Sequence, residues 1–148
     1  MLKYKLIHPE ILAILGRSGH GSKILIADGN YPFVTRLGKK ATLVNLNLMP
    51  GLVSGVQALE SLVYAVPIER AQVMQPEKTG PYAMLTAPPI WADYRRILLE
   101  SGHDITLESI ERFQFYQEAS SDDVALTIAT AEQQLYANIL LTIGVVRP

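Results

Sequence analysis

The chain contains no cysteine. That absence excludes thiolate nucleophiles, thiolate metal centres, disulfide staples and redox motifs. Charge is scarce as well, with Asp, Glu, Lys and Arg making up 18% of the residues where about 25% is usual. The two signs nearly cancel, 14 acidic against 13 basic side chains for a formal net charge of -1, so nothing attracts nucleic acid or an anionic membrane surface. Long apolar runs are missing: no stretch approaches the roughly 18 uninterrupted residues of a membrane-spanning helix. The opening Met1-Leu-Lys-Tyr-Lys-Leu-Ile-His8 also lacks the apolar region of a signal peptide. These features predict a soluble, cytoplasmic protein.

What is present is apolar content, 49% of 148 residues. A chain of about this length folds as one domain and buries roughly 68–70% of its unfolded surface. Residues 1–148 are read as a single domain, with no internal repeat, linker or low-complexity tract. A folded monomer of 16.3 kDa exposes about 7,500 Å², more than so few charges can cover. The remaining apolar surface is most simply hidden in subunit contacts, so an oligomer is expected.

Hydrophobic periodicity places the elements. Pro9 at a first turn and Ile11, Leu12, Ile14 and Leu15 at helical spacing predict a helix stopped by Gly16 and Gly19. Lys23–Ala27 reads as a buried strand closed by the turn Asp28-Gly29-Asn30. A second strand is expected over Ala41–Leu48, and a helix capped by Ser54 ends at Pro67. Ile68–Met74 is a third strand, Gln75–Pro89 a long loop with four prolines, and Ile90–Gly102 a helix. Beyond it come a short strand over Asp104–Leu107, a helix capped by Ser109 and running through Phe113 and Tyr116, and a polar turn at Ser120–Asp123. Strands over Val124–Ala129 and Asn138–Val146 complete the map. Strands alternating with helices predict an α/β protein: one three-layer α/β/α domain around a mostly parallel or mixed sheet.

Few residues stand out chemically. In Gly19-His20-Gly21 the flanking glycines let a ligand approach the imidazole closely, although an exposed histidine at a helix C-cap has the same sequence. Asp28 ends a buried strand, where open α/β sheets place ligands, and equally suits an Asx-turn. A straight strand puts His20 and Asp28 at opposite ends, so only a curled loop or a neighbouring subunit can bring them together. His8 reads as a helix cap, and His103 after Gly102 as a cation favoured by a helix dipole. The spacing of the three histidines holds no metal motif, and no Gly-x-Ser-x-Gly elbow is present. Arg112, followed by Phe113-Gln114-Phe115-Tyr116, can offer several fixed donors to a polyhydroxyl ligand or lie exposed over an aromatic stripe. Tyr136 and Asn138 pair a phenol with an amide and share one face if both lie on a strand.

In order along the chain stand Gly19-His20-Gly21, Asp28-x-x-x-Pro32, Arg112-Phe113-x-Phe115-Tyr116, Glu132-x-x-x-Tyr136-Ala137-Asn138-Ile139-Leu140-Leu141 and Gly144-Val145. This succession resembles the family of ribose pyranase and L-fucose mutarotase across nearly the whole chain. The resemblance implies a ring-shaped homo-oligomer, typically a decamer, that takes up a free monosaccharide near its subunit contacts without any cofactor or metal. It implies that His20 is the general acid/base and that Asp28, Arg112, Tyr136 and Asn138 hold sugar hydroxyls. Arg112 and its aromatic string resemble the fucose branch, where the ribose branch is similar to a histidine. Gly29 in place of the usual alanine, and extra residues near Ser120–Asp123 and in the proline-rich loop, depart from the pattern. The activity implied is interconversion of the α and β anomers of L-fucose or a related hexose. The alternatives are pyranose/furanose exchange of D-ribose, or sugar binding without catalysis. An imidazole, which titrates near neutrality, suits such proton exchange.

Overall fold

The computed structural model describes residues 1–147. In β1 (Lys23–Ala27), Ile24 and Ile26 point to one face of the sheet while Leu25 and Ala27 point to the other, as the period of two requires. All four are buried, so both faces must be covered.

Five further strands flank β1: β2 (Thr42–Asn45), β3 (Ile68–Met74), β4 (Leu107–Ile110), β5 (Val124–Ala129) and β6 (Ile139–Ile143). They form one mixed sheet in the order β2-β5-β1-β6-β3-β4. Only β6 runs antiparallel to its neighbours, β1 and β3. Three helices cover one face: α1 (Pro9–Leu15), α2 (Gly55–Leu62) and α3 (Ile90–Glu100). On the other, α4 (Arg112–Ala119) packs Phe115 and Ala119 beside Tyr31 and Tyr136. The expected α/β/α sandwich is present, with one face covered by three helices and the other by one helix and loops.

Local chemistry explains most boundaries. His8 caps α1 by accepting from the Ile11 N–H, and Ser54 with Gln57 forms a reciprocal capping box at α2. Gly102 takes φ +87° after α3, letting the His103 N–H return to the Leu98 carbonyl at 2.8 Å.

Several boundaries differ from expectation, among them the end of α2, which falls at Leu62 and not at Pro67. Ser109 does not cap a helix: it lies in β4, whose residues 107–110 pair with Ala71–Met74, and Glu111 caps α4 by accepting from the Phe113 and Gln114 N–H groups. The strand expected at 104–107 therefore starts where that one was expected to end. β2 is shorter than Ala41–Leu48 because the chain leaves the sheet after Asn45 and folds back between Met49 and Leu52. β6 occupies only Ile139–Ile143. Burial lowers the pKa of His103, whose Nδ1 lies 2.9 Å from Ser101 Oγ. No helix among the described residues is long and apolar enough to cross a membrane.

Candidate functional site

The carboxyl end of β1 and the start of β6 meet at Asp28 and Asn138. Asn138 Nδ2 donates to Asp28 Oδ2 at 2.7 Å, and its Oδ1 accepts from the Asp28 N–H at 2.9 Å. Asp28 also accepts from the Asn30 N–H at 3.0 Å, so it is both Asx-turn residue and floor of a cleft. Burial pushes its carboxyl up to about 6, against opposing hydrogen bonds from Asn30, Ala137, Asn138 and Tyr31.

The cleft measures about 310 Å³, near the lower end for small-molecule sites. Arg112, at the first turn of α4, forms one wall with Tyr116 one helical turn on. Its guanidinium carbon lies 5.8 Å from the Tyr116 ring centre, and its Nη1 donates to Glu77 of the proline-rich loop. The Glu77 carboxylate, followed by hydrogen bonding to Tyr116, raises the arginine's pKa further. Met74 and Leu135 add apolar wall.

Tyr136 lines the cleft but is not on a strand. It adopts φ 57° in the turn before β6, so Tyr136 and Asn138 do not share a strand face. This turn is tied down by Trp91 Nε1 donating to the Tyr136 carbonyl at 3.1 Å and by the Tyr94 hydroxyl donating to the Ala137 carbonyl at 2.7 Å. The Tyr136 hydroxyl itself donates to the Tyr82 carbonyl and accepts from the Glu77 N–H, which leaves it one lone pair for a ligand. Gly29 follows Asp28 where the turn presses against residues 130–132; a Cβ there would lie 3.1 Å from the Glu132 carbonyl oxygen.

His20 is elsewhere. It stands before the amino end of β1, about 13 Å or more of strand from Asp28 at ~3.3 Å per residue, in a shallow hollow with Lys40 and Asp122. Its side chain is 60% exposed, and Nε2 lies 3.0 and 3.1 Å from the two carboxylate oxygens of Glu69 on β3. The preceding loop does not curl to the cleft, so one chain brings together Asp28, Arg112, Tyr136 and Asn138 without His20. No cluster of potential metal ligands exists among the described residues.

Sequence reasoning missed Glu77, Tyr82 and Glu69. Tyr116 belongs to the aromatic string that follows Arg112 in the sequence, whereas the other three reach their partners only through loop closure or sheet register.

Residues 1–146 match the profile of the RbsD / FucU transport protein family. The chain belongs to that family. It is 33% identical over 147 residues to the fucose mutarotase of Mus musculus, covering 95% of this chain and 90% of the relative. Among solved structures, the fucose mutarotase from Streptococcus pneumoniae in complex with L-fucose superposes with a TM-score of 0.83 at 29% identity, over 99% of this chain and 100% of that one. The FucU protein from Bifidobacterium longum gives 0.78 at 33%, over 95% and 96%. The six-stranded mixed sheet with four helices is thus the fold of this family.

Proposed function

We propose that this chain is a cofactor-independent isomerase, a mutarotase that interconverts the α and β anomers of L-fucose or a related free hexose. The observation that carries the reading is the buried Asp28–Asn138 pair under a monosaccharide-sized cleft walled by Arg112. It gains weight from near full-length similarity to fucose mutarotases.

Anomers exchange by ring opening. A base takes the proton from O1, the C1–O5 bond breaks with its electron pair going to O5, and an acid protonates O5. The aldehyde rotates about C1–C2, and the reverse proton transfers close the ring on its other face. In this proposal His20 is one proton-exchanging group and Asp28, with a pKa of about 6, holds a hydroxyl and can serve as the other. A group so placed contributes roughly 10²–10⁴-fold. Arg112, Asn138 and the remaining lone pair of Tyr136 hold hydroxyls away from C1.

Because His20 cannot reach Asp28 within one chain, the complete site takes His20 from a neighbouring copy in a ring-shaped oligomer, with ten copies as the family resemblance implies. Support comes from the accessible surface, 8322 Å² against the ~7,500 Å² usual for this mass. Apolar side chains such as Leu48, Met49, Leu99 and Phe113 stand exposed on it. Glu69 contacts Nε2 of His20, leaving Nδ1 to face a partner's cleft.

Saturation-transfer NMR on equilibrated L-fucose tests the proposal, with D-ribose, L-rhamnose and galactose run alongside. Enzyme-dependent exchange between α and β signals, fastest for L-fucose and abolished by His20→Ala, is expected. Sugar-dependent thermal stabilisation without faster exchange would make the protein a binder and defeat the reading.

A further inference from the structure

The proline-rich loop between β3 and α3 takes no part in the proton transfers, yet three of its bonds end on cleft residues, and two of them belong to Glu77. Its N–H donates to the Tyr136 hydroxyl at 3.2 Å, and its carboxylate accepts from Arg112 Nη1. Its carbonyl accepts from the Met84 N–H at 2.9 Å, closing the loop on itself, and the Tyr136 hydroxyl donates onward to the Tyr82 carbonyl at 3.0 Å. One residue therefore fastens the loop to both an α4 side chain and the turn before β6.

The consequence for Arg112 is geometric. A guanidinium carries five N–H donors in a rigid fork. With Nη1 on Glu77 and Tyr116 beside the group, the donors left over have a defined direction. Arg112 is 40% exposed, and without the carboxylate its long side chain would spread over several rotamers and have to be ordered by each incoming sugar. The same loop carries Tyr82, which lines the cleft, so releasing Glu77 also loosens a wall.

We propose that Glu77 is a positioning residue that sets affinity for the sugar by holding Arg112 and the loop in the binding arrangement, without taking part in proton transfer. This rests on the cleft being the sugar site. It predicts a split between kinetic constants, because an interaction that orders a binding group acts equally on bound sugar and transition state.

The test measures anomer-exchange rate against L-fucose concentration for the wild type, Glu77→Gln, Arg112→Gln and the double variant. Glu77→Gln keeps the backbone bond to Tyr136 and an amide oxygen near Arg112 while removing the charge, and its melting temperature reports that the fold is intact. The expected result is a KM about 3–10-fold higher with kcat changed less than about 2-fold. In the Arg112→Gln background the same substitution should change KM less than about 2-fold. An unchanged KM, a fall confined to kcat, or an equally large effect without Arg112 overturns the proposal. A wild type active on L-fucose beside any of these results isolates the failure to Glu77; a wild type inactive on every sugar of the panel removes the mutarotase reading and this inference with it.

Discussion

Asn138 meets Asp28 with both ends of its amide, donating from Nδ2 to the carboxylate and accepting at Oδ1 from the backbone N–H of the same residue. Both residues are buried, so neither half of the pair has water as a substitute. Asn138→Ala leaves a buried N–H and a carboxylate oxygen without their partner, which costs about 2–4 kcal/mol. Urea unfolding should show it as a lower midpoint with unchanged slope, and a cost under about 0.5 kcal/mol would mean that the pair is solvated in solution.

Burial of the Asp28 carboxyl also makes stability depend on pH. Its pKa rises from 3.8 in the unfolded chain to about 6 in the folded one. Below pH 4 both forms hold the proton; between about 4 and 6 the folded chain keeps a proton that the unfolded chain has released. This group's contribution is thus complete at low pH and is lost as pH rises through about 6, a change of about 3 kcal/mol. Asp28→Asn carries no such titration. The stability difference between variant and wild type should therefore move in the variant's favour from pH 4 to pH 7, and parallel curves would show that the carboxyl is not perturbed.

A glycine at the entry of α2 is a steric necessity. A Cβ on Gly55 would collide with the Tyr94 hydroxyl oxygen but lie 3.6 Å from the ring carbon that bears it. Tyr94 is fully buried and its hydroxyl holds the Ala137 carbonyl beside the cleft, so the ring has nowhere to go. Gly55→Ala should cost about 1–3 kcal/mol. Because removing the oxygen restores ordinary contact, the same substitution in a Tyr94→Phe background should cost clearly less, a coupling read from a double-mutant cycle.

Tyr31 supplies the opposite case, a buried hydroxyl oxygen with no hydrogen-bond partner. A polar group buried without a partner opposes folding, so Tyr31→Phe should leave the melting temperature unchanged or raise it. The ring contact with Tyr116, 5.7 Å between centres, is kept by phenylalanine. A marked loss of stability would mean that the hydroxyl has a partner in solution.

How far the sequence discloses these features depends on how local their causes are. β1 and β5 occupy the expected residues because each is a short apolar run bounded by strong turn chemistry. Ser54 caps α2 as its position foretells, while Ser109, equally suited by type, is taken into β4 by pairing with β3. Asp28, Arg112 and Asn138 are legible because residue type and motif order mark them. The Tyr136 turn is not, since it is held by Trp91 and Tyr94 from α3. Glu69 meets His20 across 49 positions through the register of β3 with β6, and nothing in either residue's neighbourhood announces the other.

The separation of His20 from Asp28 makes the most exacting prediction, because a site shared between copies can be rebuilt from two defective chains. His20→Ala retains the cleft and Asp28→Asn retains the imidazole, and each alone should be inactive as a homo-oligomer. If His20 of one copy serves the cleft of the next, unfolding the two variants together and refolding them at equal concentration places an intact imidazole against an intact cleft at about a quarter of interfaces by chance. Anomer exchange in the mixture should therefore recover to roughly a quarter of the wild-type rate per site, while each variant refolded alone stays silent. Size-exclusion chromatography with light scattering on the same samples shows whether mixed oligomers have formed. Mixed assemblies without any recovered exchange would place both groups in one chain's site and require a rearrangement of the loop before β1.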